Sequence, residues 1–375
     1  MAKVIKKAQQ TKQELLNSAC DLFSRNWYET VSISEISKHA GKSSGSFYNY
    51  FKSKEDIFLA LLDSFLIIFG EEMGGITGET VEARLDSFFN ITIKIGKKYK
   101  KLVTLFREGQ YRYNEMEKRL RGIYMNALYS VYGRELSESE YLFVTGPLRF
   151  ISIRNLYHKR PYDINTLKSI ILNGLYPDDD FGASKVFTSY NEIVEDEKKA
   201  TRDILLSTAM KLFGEEGYHQ VNVYDITRKS RFAVGTFYRH FESKELMLEE
   251  LVEHIGSETR SLISKNLRKD LNPLETTIQG FFIFIKILEK NPAFYTIVRE
   301  AEFVLEEKVE EYYNRFENGY LNQPCPENMD TVTVANALSG IVHYFGIEDI
   351  FSRNIKDIES ILSTLSTYLQ SGISH

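Results

Sequence analysis

Residues 15–55 and 205–245 are one sequence pattern written twice. Aligned at a constant offset of 190 with no gap, Leu15, Leu16, Ala19, Leu22, Phe23, Tyr28, Val31, Ile36, Gly45, Phe47, Tyr48, Phe51, Ser53, Lys54 and Glu55 each meet an identical residue, while Ser18 meets Thr208 and Lys38 meets Arg228. A fainter echo follows at an offset of 192, where Phe106-Arg107-Glu108 meets Val298-Arg299-Glu300. A repeat at fixed spacing means one structural unit used twice. A chain of 375 residues has room for two such units with separate cores. The expected organisation is a first head at 1–55, a first helical domain at 56–180, a linker at 181–197 around the Asp-rich and Glu-rich stretches, a second head at 198–245 and a second helical domain at 246–375.

Each head reads as short helices. Leu15, Leu16, Ala19, Leu22 and Phe23 fall at helical spacing on one face, which predicts an amphipathic first helix. Ser32 followed by Glu35 has capping-box spacing and predicts a second helix reaching about Ala40, after which Gly41 permits a tight turn. Ser43 or Ser44 can cap a third helix through Tyr50, and Ser53 a fourth. Two short helices joined by a tight turn and braced by a longer one make a helix-turn-helix. In the second copy, Asn222 and Asp225 replace the capping pair. Arg231 replaces Gly41, which a left-handed turn would penalise and a right-handed one would not.

Charge is divided unevenly. Residues 1–54 hold nine Lys/Arg against four Asp/Glu, and residues 198–244 hold nine against five. These are islands of +5 and +4 in a chain of net −5, so the remainder carries −14. Basic islands attract phosphate, and an acidic body limits indiscriminate association. The two cysteines, Cys20 and Cys325, lie far apart, and no CxxC or Cys/His cluster suggests a metal, a disulfide framework or any cofactor. The expectation is a reducing, cytoplasmic setting. The basic N-terminus lacks the apolar core of a signal peptide, and no apolar run is long enough for a membrane. Nucleophile elbows, phosphate loops and HExxH spacings are missing from the sequence, so catalysis is not expected.

The strings Gly45-Ser-Phe-Tyr-Asn-Tyr-Phe-Lys-Ser-Lys54-Glu and Gly235-Thr-Phe-Tyr-Arg-His-Phe-Glu-Ser-Lys244-Glu resemble the signature of TetR-like repressors, with Phe23, Tyr28 and Ile36 and their copies in support. The resemblance implies an all-α fold of two tandem TetR-like units. Each would have a three-helix DNA-binding head and a helical ligand-binding and dimerisation-type domain, the two arranged as a pseudo-dimer. It further implies a sequence-specific regulator, a repressor released by a small apolar or amphipathic effector, with double-stranded DNA as partner. Recognition helices would run from Ser43 to Tyr50 and from Ala233 to His240. Ser43, Ser44 and Ser46, and Ala233, Val234 and Thr236, would face base edges. Tyr48, Tyr50 and Lys54, with Tyr238, His240 and Lys244, would hold phosphates. The caps Ser32 and Asn222 would join them, and Arg239 would add a charge that Asn49 lacks.

Aromatics are dense in both helical domains, and the resemblance implies an effector pocket among them. The candidates are Phe106, Arg107, Tyr111 and Tyr124 in one unit, and Phe294, Arg299, Phe303 and Tyr313 in the other. Ordinary core is the competing reading for every aromatic, and an internal ion pair for Arg107-Glu108 and Arg299-Glu300. The closing helices, at about 138–157 with 165–175 and 329–351 with 356–369, would pack on each other within the chain as subunits do in a dimer. That makes a monomeric pseudo-dimer the expected state and a homodimer its alternative. The recognition helices would then lie about 34–36 Å apart, or slightly more. A competing function is an interaction protein in which one or both heads no longer bind DNA, a reading that Arg231 and Glu242 favour for the second head alone.

Overall fold

The computed structural model describes residues 2–188, 200–346 and 357–373, and these contain helices and no strand. The chain packs as two compact units, Met1–Leu136 and Ser137–His375.

The first unit opens with α1 (Ala2–Phe23), a single 3-10 turn at Tyr28–Thr30, α2 (Ile33–His39) and α3 (Ser44–Phe47), followed by α4 (Lys54–Met73), α5 (Val81–Lys98), α6 (Lys100–Arg112) and α7 (Asn114–Tyr132). The caps form as the sequence predicts. Ser32 and Glu35 make the full capping box, Ser43 accepts from Ser46 N–H, and Ser53 accepts from Asp56 N–H. Leu15, Ala19, Phe23, Ile36, Phe47 and Phe51 form the head's core. Stacked aromatics continue it into the domain behind, where Phe23 meets Phe58 edge-on at 5.2 Å and Phe65 meets Phe106 at 4.8 Å.

The second unit begins with helices of the first repeat, α8 (Glu138–His158), α9 (Ile164–Asn173) and the short α10 (Ala183–Val186). It then holds the whole second copy: α11 (Thr201–Glu216), α12 (Val223–Ser230), α13 (Val234–His240), α14 (Lys244–Asn266), α15 (Pro273–Lys290), α16 (Pro292–Ala301), α17 (Glu306–Leu321), α18 (Thr331–Gly346) and α19 (Ile358–Ser371). The packing boundary therefore precedes the repeat boundary by some forty residues, because α8 and α9 bury their apolar faces on α18 and α19. The stretch expected to be a linker starts as ordered structure. Val186 is fully buried, and its carbonyl accepts from the Gln279 amide on α15. The rest of that stretch, 189–199, lies outside the described residues, as do the ends of the expected closing helices from Ile347 to Lys356.

The bundle of α8, α9, α18 and α19 is related to itself by a pseudo-two-fold. α8 and α18 cross at Gly146 and Gly340, where a methyl added to Gly146 would lie 3.0 Å from the Gly340 carbonyl and one added to Gly340 would lie 2.7 Å from the Gly146 carbonyl. Beyond α9 and α19, Leu175 N–H donates to Leu369 O and Ile373 N–H donates to Ile171 O. Donor matches donor and acceptor matches acceptor at one shared offset. This reciprocity marks an isologous two-fold interface, here made inside one chain. α17 is held to the bundle by a buried network in which the Arg154 guanidinium donates to Glu317 at 2.7 Å, Glu310 at 2.6 Å and Asn336 at 2.8 Å.

Candidate nucleic-acid interface and effector cavity

The turn between the second and third helices is the same in both heads. Gly41 has φ +66°, and Arg231 in its place also adopts the left-handed conformation, φ 61° and ψ 35°. Lys42 N–H bonds to Ser37 O at 2.8 Å, and Phe232 N–H bonds to Thr227 O at 2.9 Å, the reach-back bond of a Schellman ending. A Schellman ending takes a left-handed residue just before the donor of that bond, so Arg231 adopts a conformation that favours glycine.

The third helices differ in length. α13 covers Val234–His240, but α3 ends at Phe47, and Tyr48 to Tyr50 continue only as turns with i→i+3 bonds. The expected helix through Tyr50 is thus shorter in the first head. Asn49 and Tyr50 hold a helix less well than Arg239 does.

Side chains sort alike in both copies. Tyr48 and Tyr238 are 59% and 58% exposed, each resting edge-on against the buried phenylalanine before it at 5.5 and 5.2 Å. Ser43, Ser44, Asn49 and Ser32 are exposed, as are Ala233, Val234, Arg239, His240 and Asn222; Ser46, Tyr50 and Thr236 are half-buried. The Ser32 hydroxyl donates to Glu35 at 2.7 Å, so a carboxylate shares that cap.

Two groups that the sequence reading passed over share this face. A Cβ on Gly235 would meet nothing within 4 Å, and one on Gly45 only the Ser43 hydroxyl at 3.9 Å. Neither glycine is required by packing or by φ, although glycine costs helix stability. Both therefore leave the backbone open to the outside. Tyr224, 60% exposed on α12 with Arg228 5.7 Å from its ring, is the other; its counterpart is Ser34, so the repeat gave no sign of it.

Lys54 and Lys244 each have a role inside the fold of the head that the resemblance did not imply. The Lys54 ammonium donates to Tyr28 O at 2.8 Å and Glu29 O at 3.3 Å, over the Tyr28 ring at 4.3 Å. Lys244 donates to Tyr218 O and Val221 O, both at 2.8 Å, over the Tyr218 ring at 4.0 Å. Burial lowers the proton affinity of both lysines. The lysine recurs because it satisfies the carbonyls of the turn leading into the second helix.

The same turn is gripped from the other side. Glu108 on α6 accepts from Tyr28 N–H at 3.2 Å, and Glu300 on α16 accepts from Tyr218 N–H at 2.6 Å. The faint second echo is therefore a pair of carboxylates that clamp each head to its own helical domain. Burial raises the Glu108 carboxyl to about 7, against the opposing pull of Arg112.

Behind the second head lies a cavity of about 380 Å³, lined by residues of α8 and α14–α18. Of the four effector candidates in this half, Phe294, Arg299 and Tyr313 line it, and Phe303 stands outside, half-buried in the turn after α16. In the first half, Phe106 is buried against Phe65, and Tyr124 packs on Phe69 at 5.1 Å and Phe88 at 6.1 Å. Arg107 is half-buried, and the side chain of Tyr111 lies outside the described residues.

Exposed third helices that follow left-handed turns, one in each copy, define a regulator of the helix-turn-helix class. The model for bacterial regulatory proteins of the tetR family matches residues 15–61 and again 205–251. Over 195 residues the chain is 26% identical to an uncharacterized HTH-type transcriptional regulator, YdgC, of Bacillus subtilis (strain 168), covering 46% of this chain and 92% of that protein. It is 21% identical over 193 residues to the HTH-type transcriptional regulator QacR of Staphylococcus aureus (strain Mu50 / ATCC 700699), covering 46% of this chain and 98% of that one. Among solved structures, the fatty acid degradation regulator FadR from Bacillus halodurans aligns at a TM-score of 0.40 and 19% identity, over 48% of this chain and 100% of that one. The chain carries two tetR-family helix-turn-helix units in tandem and is similar to transcriptional regulators. Among the described residues, no helix is long and apolar enough to cross a membrane.

Proposed function

We propose that this chain binds a duplex operator with both heads as a single-chain pseudo-dimer, and that a small molecule in the cavity behind the second head releases it, so that it acts as a repressor. The observation that carries the DNA reading is the matched strip on the two third helices: an exposed tyrosine, short side chains before it and a glycine open to the outside. Tyr48, Tyr50 and Ser32, with Tyr238, Arg239, His240 and Asn222, hold phosphates; Ser43, Ser44, Ser46, Ala233, Val234 and Thr236 meet base edges. Lys54 and Lys244 act mainly through the fold of the head, each with one N–H left for a phosphate. Because the two strips differ in sequence, the operator is an imperfect palindrome.

Support for release comes from α16. Arg299 on it lines the cavity, and the adjacent Glu300 grips the head through Tyr218 N–H, so a ligand that shifts this helix also shifts that grip.

Binding to a selected operator is measured against salt. Phosphate contacts give a log K that falls with log salt at a slope of about −0.9 per contact. Tyr48→Ala and Tyr238→Ala each cost about tenfold in affinity. Gly45→Ala and Gly235→Ala weaken binding while raising thermal stability slightly, since alanine favours the helix. If Tyr48→Ala weakens binding and Tyr238→Ala does not, the second head is a decoy, and the interaction-protein reading replaces this one for that head.

A further inference from the structure

We propose that the cavity of the second unit takes an amphipathic anion, its charged head on Arg260 and its apolar body among Phe284, Leu288, Phe294 and Phe316. This inference rests on the effector reading above and names the ligand's chemical class.

The cavity wall has a one-sided charge. Arg260, Arg299 and Arg315 line it, and no Asp or Glu does among the described residues. Arg315 is taken up by Glu253, which reaches it from α14. Arg260 lies over the Phe316 ring at 5.5 Å and, among the described residues, makes no hydrogen bond and no ion pair. Burial, and after it the Arg315 charge, lowers its proton affinity, with Glu253 acting in the opposite sense. A guanidinium placed in an aromatic pocket without a carboxylate is a costly arrangement for the empty protein. A planar donor fork is also the group best suited to two oxygens of a carboxylate or phosphate. The rest of the wall is mainly apolar and aromatic, interrupted by Ser264, Thr276, Thr277, Gln323, Ser339 and His343, which suits an apolar body, and the volume is that of a small-molecule site. A cationic or neutral ligand would leave the Arg260 charge uncompensated.

The test compares three probes that share one twelve-carbon chain and differ in head charge: dodecanoate, dodecan-1-ol and dodecyltrimethylammonium. Each is titrated below its micelle concentration into the full-length protein by calorimetry, with stoichiometry read by native mass spectrometry. The expected result is one dodecanoate per chain, bound at least tenfold tighter than either other probe. Arg260→Gln should lose at least tenfold for dodecanoate and change dodecan-1-ol less than twofold, with Arg260→Lys in between. Gly280 lines the cavity and has open space at its Cβ position. Gly280→Leu therefore fills the site without breaking the helix, and should abolish all binding in a protein that still melts cooperatively. Equal or tighter binding of the alcohol or the cation, abolished by Gly280→Leu, overturns the anion assignment and leaves the effector cavity standing. Dodecanoate binding that survives Gly280→Leu places the probe elsewhere and overturns the proposal. No binding of any probe overturns both the proposal and the effector reading. If Arg260→Gln does not fold, the charge comparison on the unaltered protein still decides.

Discussion

The two heads have stayed alike while the two helical domains behind them have not. Both heads keep the capping box, the left-handed turn, the lysine over the tyrosine ring and the same exposed strip, even where a glycine has become Arg231 and the third helix has changed length. Behind them, Phe65, Phe69, Phe106 and Tyr124 pack together inside the first unit, whereas the second holds a cavity bordered by arginines. A head must match a duplex whose geometry does not change, so its backbone has little freedom. A domain behind it must only remain packed.

Removing the lysine that ties the incoming turn to the fourth helix should have the largest effect on this likeness. Lys54→Met and Lys244→Met each lose two charge-assisted bonds to carbonyls and a cation–π contact, a cost of about 2–3 kcal/mol. Urea melts should show it equally in both; a loss confined to one head would break the equivalence.

Next comes a difference in pH response. The Glu108 carboxyl is raised in the folded protein to about 7 from an ordinary 4.5. Between those values the unfolded chain has released a proton that the folded unit still holds, so stability falls as pH rises from about 4.5 to 7, by about 3 kcal/mol in all. Chemical denaturation across pH 5 to 7.5 should show the slope, and Glu108→Gln, which keeps an acceptor for Tyr28 N–H, should flatten it. A slope that Glu108→Gln leaves intact would remove this carboxyl as its source.

The smallest effect concerns the turn. Gly41→Ala places a side chain in the left-handed region and should cost about 1 kcal/mol. Arg231→Gly relieves that strain but frees the unfolded chain, for a net gain of about 0.5 kcal/mol. If Arg231→Gly gains stability while operator affinity falls and the salt slope becomes shallower, the arginine is retained for a phosphate.

Much of the heads was legible because their signals are local. Ser32 with Glu35, and Asn222 with Asp225, announce their helix starts within one turn, and the apolar spacing of Leu15 to Phe23 names its own buried face. The tie between Lys54 and the carbonyls of Tyr28 and Glu29 was not legible, because those partners lie some 25 residues upstream and a repeated residue does not say which way it points. Glu108 and Glu300 were read with their neighbouring arginines as an internal ion pair or pocket groups, and their grip on Tyr28 and Tyr218, some 80 residues upstream, was not legible for the same reason.

The amino-acid order by itself determined that there are two helical units, where each head begins and turns, and which of its residues are core, since capping, periodicity and internal repetition act over a few residues. Only the tertiary structure decided that α8 and α9 join the second unit, that Gly146 meets Gly340, and that a cavity bordered by arginines opens behind the second head. Those outcomes depend on the distance between helices far apart in the chain. Side-chain volume and close packing set that distance, and no local pattern records it.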